Sequence, residues 1–507
     1  MADIEHPSRF AQSTPDRPAV IVSDTGAILT YGQLEARSNQ VAHALRARGL
    51  GIGDHLAVLI DNRAEYFEVI WGALRSGLLV TPVNWHLTAD EATYIVKDCG
   101  ASALIASASY AHLAGDTAGT RIVIGGDREG FESYEDVLAA QPTTPLADEC
   151  EGNWMFYSSG TTGRPKGITP LRAGQPIGAP TAFTALVAGL YGGSEATRYL
   201  SPAPLYHAAP SGWSTAVHRL GGTVVIMPRF DAIEFLDAIE RYGVTHAQVV
   251  PTHLVRLLKL PESDRKRFDL SSLEKLVHAA APCPPEVKRA AIEWLGPIVY
   301  EYYSGSEGVG FCAIGSEEWL AHPGSVGRSL LAPVHIVDDD GNEVSPRTEG
   351  QVWFETASTF EYHGDPEKTA AAFDHRGWGC LGDMGWVDED DYLYLTDRIS
   401  NMIISGGVNI YPREVEDVLI GHPGVTDVAV VGVPDDDMGE AVRAIVQPAE
   451  APIDPDAFAR ELMEFCRDRI AHYKCPRSVR FVDELPRLAT GKIARRLLPA
   501  ELVSTDQ

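Results

Sequence analysis

The chain of 507 residues contains no Cys-x-x-Cys pair, and its seven cysteines (Cys99, Cys150, Cys283, Cys312, Cys380, Cys466 and Cys475) are odd in number and widely scattered. A zinc ribbon or disulfide framework is thereby excluded, and reduced thiols in a cytoplasmic setting are expected. No run of eighteen apolar residues occurs, and Met1 to Arg9 has charges but no apolar core, so neither a membrane span nor a signal peptide is expected. Positive charge is also scarce. The 42 Lys and Arg face 70 Asp and Glu, a net charge of −28, and such a field repels nucleic acid and anionic membranes. Any anionic ligand must be drawn in by local groups. Apolar residues are plentiful at 45%, and a chain this long outgrows one core, so at least two domains are expected.

The densest set of anion-binding groups is Tyr157-Ser158-Ser159-Gly160-Thr161-Thr162-Gly163-Arg164-Pro165-Lys166-Gly167. Its glycines let backbone N–H groups approach an anion, Ser158, Ser159, Thr161 and Thr162 add hydroxyl donors, and Lys166 adds charge, which together suit a polyphosphate. Pro165 stands where a P-loop needs glycine and Gly167 where it needs Ser or Thr, so this is not a Walker A site. Taken alone, the stretch reads equally well as a surface linker.

Around it, strand and helix signals alternate. Pro18 to Val22 reads as a strand, and Thr30-Tyr31-Gly32-Gln33 as a capping box opening a helix that Gly49 closes. Leu56 to Ile60 and Leu78 to Val83 read as buried strands flanking a helix over Ala64 to Ser76. Trp154 to Tyr157 predicts a strand feeding the glycine-rich loop, at the strand end where open α/β sheets bind ligands. Trp71 and Trp85 read as packing residues. A helix is expected over Arg172 to Leu190, a strand at Val224 to Met227, a helix at Ala232 to Tyr242 and a strand end at Gln248 to Thr252. From Met402 the character changes. A helix begins at Tyr411, strands cover Val425 to Val433 and Val442 to Val446, a helix spans Pro455 to His472, and Val479 to Val482 is a last strand, a small α+β unit.

Further motifs follow the loop in order. They are Ser201-Pro202-Ala203-Pro204-Leu205-Tyr206-His207, then His278-Ala279-Ala280-Ala281-Pro282, then Tyr302-Tyr303-Ser304-Gly305-Ser306-Glu307-Gly308. Trp378-Gly379-Cys380-Leu381-Gly382-Asp383 comes next, with Asp397-Arg398-Ile399-Ser400-Asn401 after it, and finally Leu485-Pro486-Arg487-Leu488-Ala489-Thr490-Gly491-Lys492. Unaided, His207 reads as a structural histidine and Asp383 as a turn residue. The series as a whole resembles the adenylate-forming superfamily of acyl-CoA synthetases, adenylation domains and luciferases, over almost the whole chain.

That resemblance implies an α/β fold: a large N-terminal domain (1–397) of layered α/β sheets with a distorted β-barrel, a hinge (398–401) and a small mobile α+β C-terminal lid (402–507). It also implies a site. Ser158, Ser159, Gly160, Thr161, Thr162, Gly163 and Lys166 hold the phosphates of ATP, with Lys166 and Thr161 acting in catalysis. His207 stands at the carboxylate's entry, with Trp213 a weaker candidate, and Ala280, Ala281 and Pro282 lie against adenosine and acyl group. Tyr303 stacks on adenine, Ser306 touches the α-phosphate, and Glu307 holds Mg²⁺. Asp383 takes the ribose, Arg398 makes a second ribose or phosphate contact, Ser405, Gly406 and Gly407 line the way for coenzyme A, and Lys492 is catalytic. Four departures from the pattern stand out: the glycine shifted to Gly305, Ser306 and Leu381 each in place of Thr, and Ser400 at the hinge.

The chemistry implied is attack of a carboxylate on the α-phosphorus of ATP, release of pyrophosphate, and transfer of the acyl group to a thiol. Like charges repel in the first step, so cations must gather there. An amino-acid substrate would need a buried carboxylate to pair its ammonium, and Ser201 to Ala216 contains neither Asp nor Glu. An apolar acid, aliphatic or ring-bearing, is therefore expected, with coenzyme A as acceptor. A carrier-protein thiol and a non-catalytic nucleotide-binding regulator are the alternatives, and a homodimer is left open as the assembly.

Overall fold

The computed structural model describes residues 5–115, 117–157, 165–169, 174–356, 360–398, 401–405, 408–435, 438–487 and 493–504. The chain divides into two compact units. One comprises Met1–Val249, Lys259–Val277 and Thr359–Thr369; the other comprises Val250–Leu258, His278–Ser358 and Ala370–Gln507.

The first unit holds a six-stranded sheet in the order Glu132–Ser133, Thr120–Ile124, Ala103–Ser107, His55–Leu59, Leu79–Pro82, Asn153–Trp154. Every neighbouring pair in it is parallel. Sheets of this kind are covered on both faces, which is why their central strands are unbroken apolar runs such as Leu56 to Leu59, all buried. The helices Glu65–Leu74 and Ala89–Asp98 supply cover, and Tyr31–Ala47 packs on the first of them. The predicted capping box is present: the Thr30 hydroxyl accepts from Gln33 N at 3.2 Å, and Thr30 N donates to Gln33 Oε1 at 2.9 Å. Thr88 and Glu91 make a second one.

A second sheet in this unit runs Lys275–His278, His246–Val249, Arg198–Ser201, Thr223–Ile226, Pro18–Val22, Ile28–Thr30. Arg198–Ser201 is parallel to both of its neighbours. A small antiparallel sheet joins Phe156–Tyr157, Gly167–Thr169 and Glu361–Tyr362.

The second unit is largely antiparallel. Val299–Ser304, Phe311–Ile314 and Arg328–Ser329 pair in turn. Val334–Val337, Gly350–Phe354, Gly379–Val387 and Leu393–Arg398 make a four-stranded sheet. From Ile403 a separate sheet forms: Val408–Ile410, Ile403–Ser405, Gly439–Pro448 and Val425–Asp435, with Ser478–Phe481 added in parallel. Helices Pro412–Leu419 and Pro455–Arg467 bury Val415, Leu419, Leu462 and Cys466 against it. The whole is a mixed α/β chain with a large N-terminal and a smaller C-terminal domain.

Three sequence expectations need correction. The helix expected over Arg172 to Leu190 is confined to Ala182–Tyr191, because Pro176, Gly178 and Pro180 do not support helix and Thr181 supplies the N-cap. The strand expected to end near Thr252 stops at Val249, and Pro251 opens a helix, Pro251–Leu258, in the first-turn position where a missing N–H is harmless. The helix from Pro455 ends at Arg467, and His472–Lys474 is a separate 3₁₀ turn. All seven cysteines are free and buried, and among the described residues no helix is long and apolar enough to cross a membrane.

Candidate functional site

In the first unit, Phe156–Tyr157 and Gly167–Thr169 form an antiparallel pair with Tyr157 opposite Gly167. The glycine-rich stretch is therefore the connection of a hairpin, with Lys166 at its exit. Ser158, Ser159, Gly160, Thr161, Thr162 and Gly163 lie outside the described residues. Both ends of the connection are tied to the helix Ala89–Asp98. Tyr157 Oη donates to Asp98 Oδ2 at 2.7 Å, and Tyr94 Oη, one turn earlier on that helix, donates to Pro165 O at 3.2 Å. Burial and the Asp98 bond push the Tyr157 phenol well above its ordinary range, so it stays a donor. A Cβ on Gly167 would displace the Met155 methyl group and come 3.2 Å from both His363 Cβ and Tyr157 Cζ, so a larger residue there is crowded. Lys166 Nζ lies 3.2 Å from Asp365 Oδ2, a half-exposed pair.

The turn from Ser201 to His207 is held by Asn62. Its amide donates to Ala203 O at 3.0 Å and Met227 O at 2.9 Å, and its oxygen accepts from Leu205 N at 2.8 Å. His207 occupies the N-cap of Ala208–Arg219 without capping it through its side chain. Its ring instead tilts against Tyr206, centroids 4.3 Å apart, and Tyr206 meets Trp85 edge-on at 5.8 Å. Trp85 also packs on Tyr110 at 5.0 Å. Trp213 is buried and stacks on Tyr199 at 5.6 Å.

In the second unit, Tyr303 Oη donates to Asp383 Oδ2 at 2.5 Å. Asp383 is buried, and its backbone pairs across the sheet with Arg398. Tyr303 is thus brought to two predicted nucleotide positions that follow it by 80 and 95 residues in sequence, through the Val299–Ser304 strand and the pairing of Gly379–Val387 with Leu393–Arg398. The Arg398 side chain lies outside what the structure describes. Ser306 is exposed and Glu307 half-buried on the turn after Tyr303. Two of the departures from the family pattern meet here: a Cβ on Gly305 would come 2.6 Å from Glu307 Oε2 and 2.7 Å from Leu381 Cδ2. The shifted glycine makes room for the leucine that replaces Thr.

Ala280 carries φ 75, a left-handed conformation that a non-glycine residue rarely adopts. Such strain persists where surrounding structure enforces it and concentrates at functional sites. Its neighbours Ala281 and Pro282 are half-buried and exposed. Behind this loop, His278 Nε2 lies 3.5 Å from Glu301 Oε2, which also takes Lys288 Nζ at 2.6 Å. Lys288 stands over the Trp319 ring at 5.0 Å. Burial alone would raise the Glu301 carboxyl, but Lys288 and His278 outweigh it and hold it below its ordinary range.

Towards the C-terminal sheet, Asp397 accepts from Asn401 Nδ2 at 3.0 Å and from Arg413 N at 3.2 Å, while Arg413 Nη1 donates to Leu395 O at 2.8 Å. Asp417, one turn along from Arg413, is half-buried, and desolvation pushes it up to about 6 against the pull of Arg413. Ser405 pairs with Val408, on either side of Gly406 and Gly407 in sequence. Those two glycines, Ser400 and Lys492 fall outside the described residues.

Asn62, Tyr94, Asp98, Asp365 and Lys288 went unnoticed in the sequence, since each is an ordinary polar residue without a motif.

Comparison with known proteins agrees with this architecture. Residues 8–362 match the AMP-binding enzyme family, and residues 414–492 match the AMP-binding enzyme C-terminal domain. The chain is 33% identical to the fatty acid--[acyl-carrier-protein] ligase ScoC of Streptomyces coeruleorubidus, over 98% of this chain and 95% of that protein. It is 31% identical to the long-chain-fatty-acid--CoA ligase FadD13 of Mycobacterium tuberculosis, over 98% and 97%. Among solved structures, the o-succinylbenzoate CoA synthetase MenE of Bacillus subtilis, in complex with its acyl-adenylate intermediate, superposes with a TM-score of 0.81 at 27% identity, covering 98% of each chain. Fold and relatives together define an adenylate-forming enzyme of two domains. The chain belongs to the AMP-binding enzyme family.

Proposed function

We propose that this enzyme activates an apolar aliphatic or ring-bearing carboxylic acid with ATP and transfers the acyl group to coenzyme A. The observation that carries the reading is the Tyr303–Asp383 contact, an aromatic face and a buried carboxylate of the kind that hold a base and a ribose. In the first half-reaction the substrate carboxylate attacks the α-phosphorus of ATP and pyrophosphate leaves. Lys166, Lys492 and the hydroxyls of Ser158, Ser159, Thr161, Thr162 and Ser306 orient phosphate oxygens and offset their charge. Backbone N–H groups at Gly160 and Gly163 add donors, and His207 orients the incoming carboxylate. Ala280, Ala281 and Pro282 present backbone and small side chains to the adenosine, while Asp383 and Arg398 hold the ribose.

Glu307 fits Mg²⁺. It is a single hard carboxylate on a half-exposed turn, and Mg²⁺ bound to nucleotides takes one or two carboxylates plus phosphate oxygens. When bound, the ion neutralises phosphate charge. In the second half-reaction the thiol of coenzyme A attacks the acyl carbonyl and AMP leaves. Ser405, Gly406 and Gly407 line the thiol's approach, and no protein nucleophile is required, in keeping with seven buried cysteines. Residues 398–401 serve as the hinge between domains 1–397 and 402–507.

The setting we propose is cytoplasmic, with free thiols. A homodimer remains the assembly to be tested by light scattering. The similarity to ScoC favours a second acceptor, a carrier-protein thiol. Comparing free coenzyme A with a phosphopantetheinylated carrier in the thioester assay separates the two.

The test divides the half-reactions. Lys492→Ala is expected to abolish ATP–pyrophosphate exchange while a supplied acyl-adenylate is still converted to thioester. Equal loss of both would refute the separate roles assigned to Lys492, and no acid-dependent AMP from the wild type would refute the ligase reading.

A further inference from the structure

Buried polar groups are nearly always hydrogen-bonded, so one that is not points to something that completes it. In the first unit several such atoms share one layer. Tyr199 and His246 are register partners, as are Leu200 and Ala247, and continuing the parallel ladder sets Ser201 beside Gln248. Alternation along each strand places Tyr199, Ser201, His246 and Gln248 on the same face. The helices Ala182–Tyr191 and Ala208–Arg219 cover that face: His246 Nε2 donates to Tyr191 O at 2.8 Å, and the Trp213 indole stacks on Tyr199.

Within this layer Ser201 Oγ, Gln248 Oε1 and Trp213 Nε1 have no hydrogen-bond partner among the described residues, although Ser201 is 0%, Gln248 1% and Trp213 1% exposed. The Gln248 amide nitrogen is occupied, donating to Val249 O at 3.1 Å. Ser201 and Gln248 also stand at the carboxyl ends of adjacent parallel strands, the edge at which such sheets receive ligands. Ser201 leads directly into the turn that carries His207.

We infer that this layer recognises a neutral hydroxyl group on the acyl portion of the substrate. The reasoning is one of matching. The indole N–H needs an acceptor, the amide oxygen needs a donor, and the serine hydroxyl can be either. A hydroxyl offers both roles in one group and meets Ser201 Oγ and Gln248 Oε1 together, since these two residues are neighbours on adjacent strands. A second carboxylate or an ammonium is disfavoured, since none of the three side chains carries a charge to offset it. An unsubstituted alkyl chain or ring leaves all three atoms unmet, and sites built to bond a substrate hydroxyl reject the analogue lacking it far more strongly than apolar pockets reject an extra group. The inference rests on the ligase reading and sharpens its substrate class from apolar acids to hydroxylated, otherwise apolar ones.

The test uses the full chain and two matched pairs of acids: phenylpropanoate with its para-hydroxy derivative, and octanoate with its terminally hydroxylated derivative. CoA- and ATP-dependent AMP formation is scored for each. The expected result is a kcat/KM at least about tenfold higher for the hydroxylated member of at least one pair, with that ratio collapsing towards one in Gln248→Met and in Ser201→Ala. The wild-type ratio alone decides the matter if either variant fails to fold. AMP formation with no preference for the hydroxylated members, as a water completing the three atoms would give, overturns this inference and leaves the ligase reading intact. No AMP from any acid overturns both.

Discussion

Replacing Lys288 by methionine keeps most of the side-chain volume on the buried face of Pro285–Leu295 and removes one charge. In the native protein its ammonium sits 2.6 Å from Glu301 Oε2, with the lysine side chain 0% and the glutamate 9% exposed. Of the other basic neighbours of the carboxylate, His278 is itself driven down to about 4 by burial and is neutral at pH 7, and Arg413 exerts a smaller pull than Lys288. The variant thus leaves a buried carboxylate unpaired, which costs about 3–5 kcal/mol when the charge is retained. Protonation offers an escape. Bringing a carboxyl of ordinary pKa near 4.3 to its neutral form at pH 7 costs about 3.7 kcal/mol, at about 1.36 kcal/mol per unit of pH.

The loss at pH 7 is therefore expected at about 3–4 kcal/mol, shrinking to about 1 kcal/mol at pH 5, where protonation is nearly free. Urea denaturation of wild type, Lys288→Met and Lys288→Met with Glu301→Gln at both pH values measures this. The double variant carries no stranded charge and should recover most of the loss. A single variant that loses less than about 1 kcal/mol at pH 7, or a double variant as unstable as the single one, would refute the reasoning. Because Glu301 lies two residues before Tyr303 and His278 two before Ala280, the same variant should also weaken ATP binding.

Two further predictions concern the nucleotide site and acid stability. Tyr303→Phe keeps the ring and deletes the donor to Asp383, so the KM for ATP should rise about tenfold, as for a hydrogen bond of about 1.5 kcal/mol to a charged group, with kcat little changed; an unaltered KM would break the link between Asp383 and nucleotide. His218 is fully buried and depressed to about 4 by that burial; its Nδ1 accepts from Trp71 Nε1 at 3.1 Å while Nε2 donates to Ala19 O at 3.0 Å. Below pH 6.5 the unfolded chain binds the proton that the folded chain refuses, so its contribution is complete above 6.5 and lost as pH falls towards 4. Between pH 6.5 and 5 wild type should lose about 2 kcal/mol more stability than His218→Gln; parallel pH profiles would contradict this.

Much of this protein is local. Thr30 and Gln33 cap a helix through atoms three residues apart, apolar runs such as Leu56 to Leu59 declare strands buried on both faces, and each motif carries its donors and charges within a few residues. The sequence by itself therefore settled the α/β class, the presence of a smaller C-terminal domain and the family. Where local signals compete, it misled: a proline reads as an interruption, yet Pro251 opens a helix, because only the surroundings decide whether its missing N–H matters.

Other features exist only in three dimensions. That Gly305 answers Leu381, that Tyr94 and Asp98 bond Pro165 and Tyr157 on either side of the glycine-rich stretch, and that Ser201, Gln248 and Trp213 are buried without a partner among the described residues are facts of packing between strands and helices remote in sequence. The physical reason is that a side chain's hydrogen-bonding capacity is written in its residue type, whereas its partner, its burial and hence its cost or use are set by what the fold brings within about 3 Å of it.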